Sequence, residues 1–97
     1  MKYYLADFNI RDGDNEYDLQ FLVHAENLED AQNKALDGLC YNFGVARSAW
    51  NEEWEELDLF SRIIRQGNLP QEIPDTEADV LKNYFWVATD FTERQRK

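Results

Sequence analysis

The chain has 97 residues, and its 20 acidic residues against 10 basic ones give a formal net charge of −10. This length is typical of one domain with a modest hydrophobic core, and 43% apolar residues are enough to form such a core despite the charge. The acidic balance argues against binding to bare nucleic acid or acidic membranes, and it favours attraction to basic partners.

The single cysteine, Cys40, excludes an intrachain disulfide and a cysteine-rich metal cluster. The sequence has no apolar run of about 18 residues and no pattern typical of a cleaved signal peptide. We therefore expect a cytoplasmic protein with one compact domain over residues 1–91. The basic tail, residues 92–97, is expected either to be disordered or to meet an acidic patch on a partner.

Two alternating segments near the N-terminus predict an antiparallel β-hairpin. Apolar side chains recur at every second position of residues 2–10 and 17–24, which places one face of each segment inward. The inward positions are Tyr4, Ala6, Phe8 and Ile10, and then Tyr17, Leu19, Phe21 and Val23. The intervening RDGDNE contains Asp, Gly and Asn, which tolerate the φ angles of a tight turn.

The next segment predicts a helix over about residues 28–42. Asn27 is suited to the N-cap, and Glu29 and Asp30 would lie in the first turn, where the helix dipole favours anions. Apolar side chains recur at three- and four-residue spacing, and Gly44 is a suitable stop. The stripe consists of Leu28, Ala31, Ala35, Leu39 and Phe43.

A second apolar stripe predicts another helix. Its members are Trp50, Trp54, Leu57, Phe60 and Ile64. Gly67 follows two arginines just beyond the stripe, as is typical of a helix C-terminus. The stretch ELDLF also fits an alternating strand, but a stripe that runs over about four turns favours a helix.

The remaining segments complete a predicted α+β fold. Residues 68–79 contain both prolines and predict a connector with a short helical turn from Thr76. Residues 83–91, NYFWVATDF, predict a final strand. The order is then β-β-α-α-β, a three-stranded antiparallel sheet with two helices packed on one face.

No set of residues typical of an enzyme is present. His24, the single histidine, is predicted to point outward from a strand, and Cys40 lies on the flank of a helix stripe, where a small buried thiol is usual. The four glycines are scattered and form no phosphate-binding loop. Carboxylates are abundant but equally solvated, whereas paired acid–base catalysis needs two contrasting environments. We expect no catalytic residues and no cofactor.

Residues 12–18, DGDNEYD, begin like a calcium-binding loop, with oxygen ligands at alternate positions. An EF-hand needs glycine at its sixth position and glutamate at its twelfth, and this chain has Tyr17 and Val23 there. The segment also lies between predicted strands, not helices. We therefore expect no metal site.

The segment NEEWEELD, residues 51–58, places five carboxylates in eight positions. In a helix, Glu52 and Glu56 would lie one turn apart, with Cβ atoms about 5–6 Å from each other. That spacing is comparable with the phosphates of a nucleic-acid strand, which lie about 3.4 Å apart along the axis. Burial of Trp54 and Leu57 would contribute on the order of several kcal/mol and outweigh the charge repulsion.

Two further acidic groups accompany this row, one on the hairpin and one in the connector. They are Asp12, Asp14, Glu16 and Asp18, and then Glu72, Asp75, Glu77 and Asp79. An acidic face most often serves only solubility. The functional hypothesis is that some of these residues join the row into a stripe that copies a phosphate backbone. Such a stripe would occupy the Lys/Arg groove of a nucleic-acid-binding protein, with a steep salt dependence.

The clusters NEEWEELD, DGDNEYD and DTEAD, in a small domain without a catalytic set, resemble the small acidic inhibitors of phages and mobile elements. These include DNA-mimic anti-CRISPR and anti-restriction proteins. Within that group the chain is most similar to an anti-CRISPR protein against a type I surveillance complex. The resemblance implies a non-enzymatic inhibitor that blocks the DNA-binding surface of the complex, in the host cytoplasm if a phage encodes it. The implied contacts are Glu52, Glu53, Glu55, Glu56 and Asp58, with Asp12, Asp14, Glu16 and Asp18 as the second group.

Two other classes of function stay open. One is an acidic structural or adaptor protein, a monomer or small homo-oligomer, with an ordinary protein–protein interface. Its binding would be insensitive to salt, whereas binding by a mimic would weaken steeply. The other is a small enzyme or calcium-binding module, which would show a thermal shift with Ca²⁺ or a substrate-like ligand.

Overall fold

The computed structural model describes residues 1–88, which form six strands, two α-helices and a short 3₁₀ helix, Arg47–Ala49. The strands are β1 (Lys2–Asp12), β2 (Asn15–Ala25), β3 (Trp50–Asn51), β4 (Glu56–Asp58), β5 (Arg62–Ile73) and β6 (Val87–Ala88), and the α-helices are α1 (Leu28–Asn42) and α2 (Asp75–Leu81). The strands make one mixed sheet, ordered β3-β4-β5-β1-β2-β6, which curls into a half-barrel. The predicted three-stranded antiparallel sheet is therefore wrong.

The predicted hairpin is confirmed, and it is longer than the pattern indicated. Each residue of β1 lies opposite a residue of β2 in an unbroken antiparallel register. Gly13 and Asp14 form the turn, and Gly13 has a φ of +62°, which glycine adopts without steric cost. The predicted inward residues of β1 are buried, but Tyr17, near the turn, is exposed.

The helix predicted after the hairpin is also confirmed. The side-chain oxygen of Asn27 accepts a hydrogen bond from the backbone N–H of Asp30 at 2.9 Å, which satisfies one of the free donors at the helix start. Gly44 has a φ of +70° and donates its N–H to the carbonyl of Tyr41, which ends the helix. The buried residues of α1 are Ala31, Ala35, Leu36, Gly38, Leu39 and Cys40.

The second predicted helix is wrong, because its segment forms β3, β4 and the start of β5. Trp50, Leu57 and Ile64 lie side by side on these three strands, and all three are buried. Their seven-residue spacing matches two helical turns. Residues that are neighbours across strands therefore have the sequence pattern of a helical stripe. The other two residues of the stripe, Trp54 and Phe60, are exposed.

β5 occupies much of the segment predicted as a connector, and it inserts between β4 and β1. Its pairing with β1 shifts register between Leu5 and Asp7 and again between Asp7 and Phe8. These shifts fall where β5 contains Gly67 and Pro70. An irregular register accommodates both residues, since proline has no N–H for the ladder and glycine often marks a bulge.

The two helices lie on opposite faces of the sheet, so the prediction of both on one face is wrong. Helix α1 packs over the face that contains Ala6 of β1. Ala78 of α2 packs in a second cluster with Leu5. Neighbouring residues of a strand point to opposite faces, so the two clusters are on different sides. The helical turn predicted from Thr76 is present within α2.

The predicted final strand, residues 83–91, is present as β6 over two residues of the described range. β6 pairs in parallel with β2 at Leu22 and Val23, which makes the sheet mixed. Residues 89–91 and the predicted basic tail, 92–97, lie outside the described residues.

Candidate partner-binding surface

The acidic segment forms a hairpin loop at the edge of the sheet, not a helix. β3 and β4 are antiparallel, and residues 52–55 connect them; we call these four residues the acidic loop. The side-chain oxygen of Asn51 accepts the backbone N–H of Trp54 at 2.8 Å, which fixes the start of the loop. Glu55 has a left-handed φ of 52°. The predicted spacing of one charge per helical turn is therefore wrong.

The acidic loop presents three carboxylates to solvent. Glu52 forms an ion pair with Arg47, with 3.3 Å between Oε1 and Nη2, yet 76% of its side chain is exposed. Glu53 and Glu55 are exposed and form no ion pair with any residue in the described range. Two of the three charges in the loop therefore have no counter-charge within residues 1–88.

A groove of about 410 Å³ lies between the acidic loop, α1 and β5, and we call it the tryptophan groove. Leu36 and Trp50 supply its buried apolar lining, with Trp50 only 5% exposed. Trp54 and Leu69 also line it, and both are largely exposed. An exposed indole beside a buried one leaves apolar surface for a partner to cover.

The polar lining of the tryptophan groove is an amide pair with carboxylates from the acidic loop. Gln32 of α1 and Gln66 of β5 exchange two hydrogen bonds of 2.7 Å, each amide nitrogen donating to the other's oxygen. Arg65 also lines the groove, but its guanidinium forms an ion pair with Glu56 at 3.1 Å. Glu55 adds a negative charge without an ion pair in the described range, so the groove is electronegative.

Four of the predicted site residues lie on the face of the sheet opposite α1, and we call this part the open face. Strand register orders its side chains in two rows across four strands. One row is Glu56, Arg65, Asn9 and Asp18, and the other is Asp58, Ile63, Arg11 and Glu16. Acids occupy the outer strands β4 and β2, which lie three strand spacings apart, about 14 Å.

The open face is not uniformly negative, because arginines occupy its inner strands. Arg65 forms an ion pair with Glu56, and Nη2 of Arg11 lies 3.9 Å from Oε2 of Glu16. Asp18 instead accepts a hydrogen bond from the amide of Asn9 at 3.3 Å. The open face therefore combines paired and unpaired acids, unlike the continuous row predicted from the sequence.

The last two predicted residues lie at the tip of the hairpin. Asp12 forms an ion pair with Arg62 at 3.2 Å, and Asp14 is exposed in the turn. The nine predicted acids thus fall into three groups: the acidic loop, the open face and the hairpin tip. In the connector group, Glu72 pairs with Lys2 at 3.4 Å, while the other three acids belong to α2.

All seven lysine and arginine side chains of residues 1–88 form ion pairs with carboxylates of the same chain, at distances of 3.1–3.9 Å. They are Lys2, Arg11, Lys34, Arg47, Arg62, Arg65 and Lys82. Of the 20 acids in the chain, Asp90 and Glu93 lie outside this range and eight form the ion pairs, which leaves ten without one there. Within residues 1–88, the carboxylates therefore outnumber the cations that could pair with them.

The residues considered for catalysis lie in structural settings. The imidazole of His24 stacks on the ring of Tyr3, with centroids 4.3 Å apart. Cys40 is fully buried, and burial raises the pKa of its thiol. Within residues 1–88, no group of three or more His, Cys, Asp or Glu side chains could hold a metal ion. Neither helix in that range is long and apolar enough to cross a bilayer.

The tryptophan groove could not be predicted from the sequence, because its residues come from three separate segments. The sequence pattern gives Gln32 and Leu36 no role beyond membership of the first helix. It places Gln66 at the end of the second predicted helix and Leu69 in the predicted connector. One signal was available: Trp54 has glutamates on both sides, which is an uncommon setting for a buried indole. No protein-family model, curated protein or solved structure matches the chain.

Proposed function

We propose that this protein is a non-enzymatic inhibitor that binds the cationic surface of a nucleic-acid-binding protein and competes there with nucleic acid. The observation that supports this most directly is the state of its charges. Within residues 1–88, every lysine and arginine is held by the chain's own carboxylates, while ten carboxylates have no such partner. Such a surface attracts a basic partner at long range and repels phosphates.

The partner that we propose is the DNA-binding surface of a type I CRISPR surveillance complex. The inhibitor would bind it in the host cytoplasm. A restriction enzyme offers a similar row of phosphate-binding cations and is the related alternative. The carboxylates would replace phosphates as partners of these cations. On the open face the acidic outer strands are about 14 Å apart, which is close to the roughly 12 Å width of the major groove of B-DNA.

A second candidate function is an adaptor with an ordinary apolar interface. Two large side chains support it, because Trp54 is 70% exposed and Phe60 is fully exposed. Aromatic residues, tryptophan above all, often dominate the binding energy of protein interfaces. Binding through them would depend little on salt.

The test is competition for an immobilised type I surveillance complex between this protein and target duplex DNA, at rising salt. We expect the protein to displace the duplex at low salt and to lose affinity steeply as salt rises, because ion pairs replace counterions. Retention that is insensitive to salt would instead support the adaptor. Failure to bind this complex, and a restriction enzyme assayed in parallel, would overturn the proposal.

A matched pair of charge reversals tests whether the acidic loop makes the contact. Glu53→Lys with Glu55→Lys is expected to abolish displacement of DNA, since neither residue holds a cation of residues 1–88. Glu26→Lys with Glu29→Lys changes the net charge equally at exposed positions outside the three acidic groups, and should displace DNA nearly as well as the parent. Equal losses in the two variants would show that only net charge matters.

A further inference from the structure

We infer that the tryptophan groove receives a cationic side chain of the partner, with arginine preferred over lysine. This inference rests on the proposed function for the origin of the side chain, but the groove can be tested without the partner. Its volume of about 410 Å³ lies within the range of small-ligand pockets, about 300–1,000 Å³. The groove is therefore large enough to enclose the end of one long side chain.

The charge of the groove selects a cation. Glu52 and Glu55 line one side of it, and both side chains are exposed to solvent. Arg47 forms an ion pair with one oxygen of Glu52, whereas Glu55 has no ion pair within residues 1–88. A guanidinium can bind a carboxylate through two parallel N–H···O bonds, which are stronger than bonds between neutral groups.

The aromatic lining selects a cation with a flat surface. Trp54 is 70% exposed at the groove, and its backbone is fixed by the hydrogen bond to Asn51. Trp50 is buried below it and packs edge-to-face with Phe8, with the two ring centroids 6.3 Å apart. Tryptophan is the best partner for a cation above its ring, and guanidinium stacks there better than ammonium does.

The amide pair supplies additional acceptors. Gln32 and Gln66 use one N–H and one lone pair each for their reciprocal bonds. Each amide oxygen therefore keeps a second lone pair, which can accept an N–H of a guanidinium. Among residues 1–88, Arg65 is the one cation in the groove lining, and its ion pair with Glu56 reduces its repulsion of an incoming cation.

A titration with a short blocked peptide, acetyl-Gly-Arg-Gly-amide, tests the inference directly. Tryptophan fluorescence and backbone amide chemical shifts report where the peptide binds. We expect shifts at Trp54, Glu55 and Gln66, with weaker binding by the lysine peptide and the weakest by the citrulline peptide. Citrulline keeps the shape of arginine without its charge, so it isolates the electrostatic part.

Two variants and a matched control locate the site. Trp54→Leu and Glu55→Gln should each weaken binding of the arginine peptide about two- to five-fold, the loss expected for one cation–π contact or one exposed ion pair. Glu26→Gln removes the same charge from an exposed position outside the acidic groups and outside the groove lining, so it should leave the affinity unchanged. Circular dichroism confirms that all three variants keep the fold.

The inference is overturned if millimolar arginine peptide causes no shifts in the groove, or if the citrulline peptide binds as tightly. It is also overturned if Glu26→Gln weakens binding as much as Glu55→Gln, since binding would then depend only on the net charge of the protein. These outcomes differ from failure of the proposed function. If the groove binds arginine but the protein displaces no DNA, the groove is a cation site and the inhibitor role is wrong. If the protein displaces DNA but the groove binds no arginine, the protein is an inhibitor that does not use the groove.

Discussion

Trp50, on the strand that leads into the acidic loop, and Trp54, within that loop, have different environments. Trp50 is 5% exposed and lies beside Leu57 on the neighbouring strand, with its ring edge against Phe8. Trp54 is 70% exposed, and its backbone N–H donates a hydrogen bond to the side-chain oxygen of Asn51. One indole therefore anchors the loop to the core, and the other is left for contact with a partner.

The same contrast separates the packed centre of the molecule, β1, β2 and α1, from the turns around β4. In the centre, Phe8, Phe21 and Leu39 are fully buried. In the turn from β4 to β5, Phe60 is fully exposed and has a left-handed φ of 63°. At this position the ring is not buried, and the backbone is strained because a bulky side chain disfavours a left-handed φ. The stability of the fold therefore does not explain why residue 60 is phenylalanine.

The largest expected effect separates the two indoles. Trp50→Ala should lower the free energy of unfolding by about 3–5 kcal/mol, because it removes a buried ring from the core. Trp54→Ala should lower it by less than about 1 kcal/mol, because its ring is already in water. Chemical denaturation of both variants measures this difference. Equal losses would mean that the exposed indole is also part of the core.

The next effect tests how closely the centre is packed. A Cβ at Gly38 would lie 3.0 Å from a ring carbon of Phe21 and 3.2 Å from the Cβ of Ala88. Gly38→Ala should therefore cost about 1–2 kcal/mol of unfolding free energy, even after the gain in helix propensity. Asn33→Ala, at an exposed position of the same helix, should be neutral or slightly stabilising. A stabilising Gly38→Ala would show that α1 can move away from the sheet.

A smaller effect of opposite sign is expected at the exposed turn. Phe60→Gly should stabilise the fold by up to about 1 kcal/mol, since glycine adopts a left-handed φ without strain. Phe60→Leu keeps the strain and should leave stability nearly unchanged. Thermal denaturation compares the two variants, and a loss of stability with glycine would mean that the ring makes contacts in the folded chain.

The smallest effect concerns acid denaturation. The backbone N–H of Glu26 lowers the pKa of Asp30 below its ordinary value, and Lys34 at 3.2 Å adds to this. A lowered pKa in the folded state stabilises the protein above the unfolded value of 3.8, and this contribution is lost as the pH falls through the folded pKa. Asp30→Asn should thus flatten the fall of stability below about pH 4, where carboxylates titrate.

Glu53→Gln is the control for that prediction, because it removes one negative charge from the acidic loop instead of the packed centre. Its unfolding free energy, measured over the same pH range, should follow the parent more closely than that of Asp30→Asn. Identical curves for the two variants would mean that only the net charge shapes the acid limb.

The hairpin and α1 could be predicted from the sequence because the interactions that define them are local. Alternation in β1 and the glycine turn fix the pairing of adjacent strands, and Asn27 and Gly44 fix both ends of α1 within a few residues. The identity of the acidic residues was equally visible. The exposure of Trp54 among them was not visible, because a stripe of apolar residues predicted that this indole was buried.

A long hairpin, one capped helix and a surplus of carboxylates follow from local features of the sequence alone. The strands β3, β4 and β5 depend on long-range pairing, which makes Trp50, Leu57 and Ile64 neighbours. A spacing of seven residues along the sequence cannot distinguish this pairing from two helical turns. The same pairing decided which carboxylates are neutralised by arginines and which remain for a partner. Those contacts join residues up to 50 positions apart, as in the ion pair of Asp12 with Arg62.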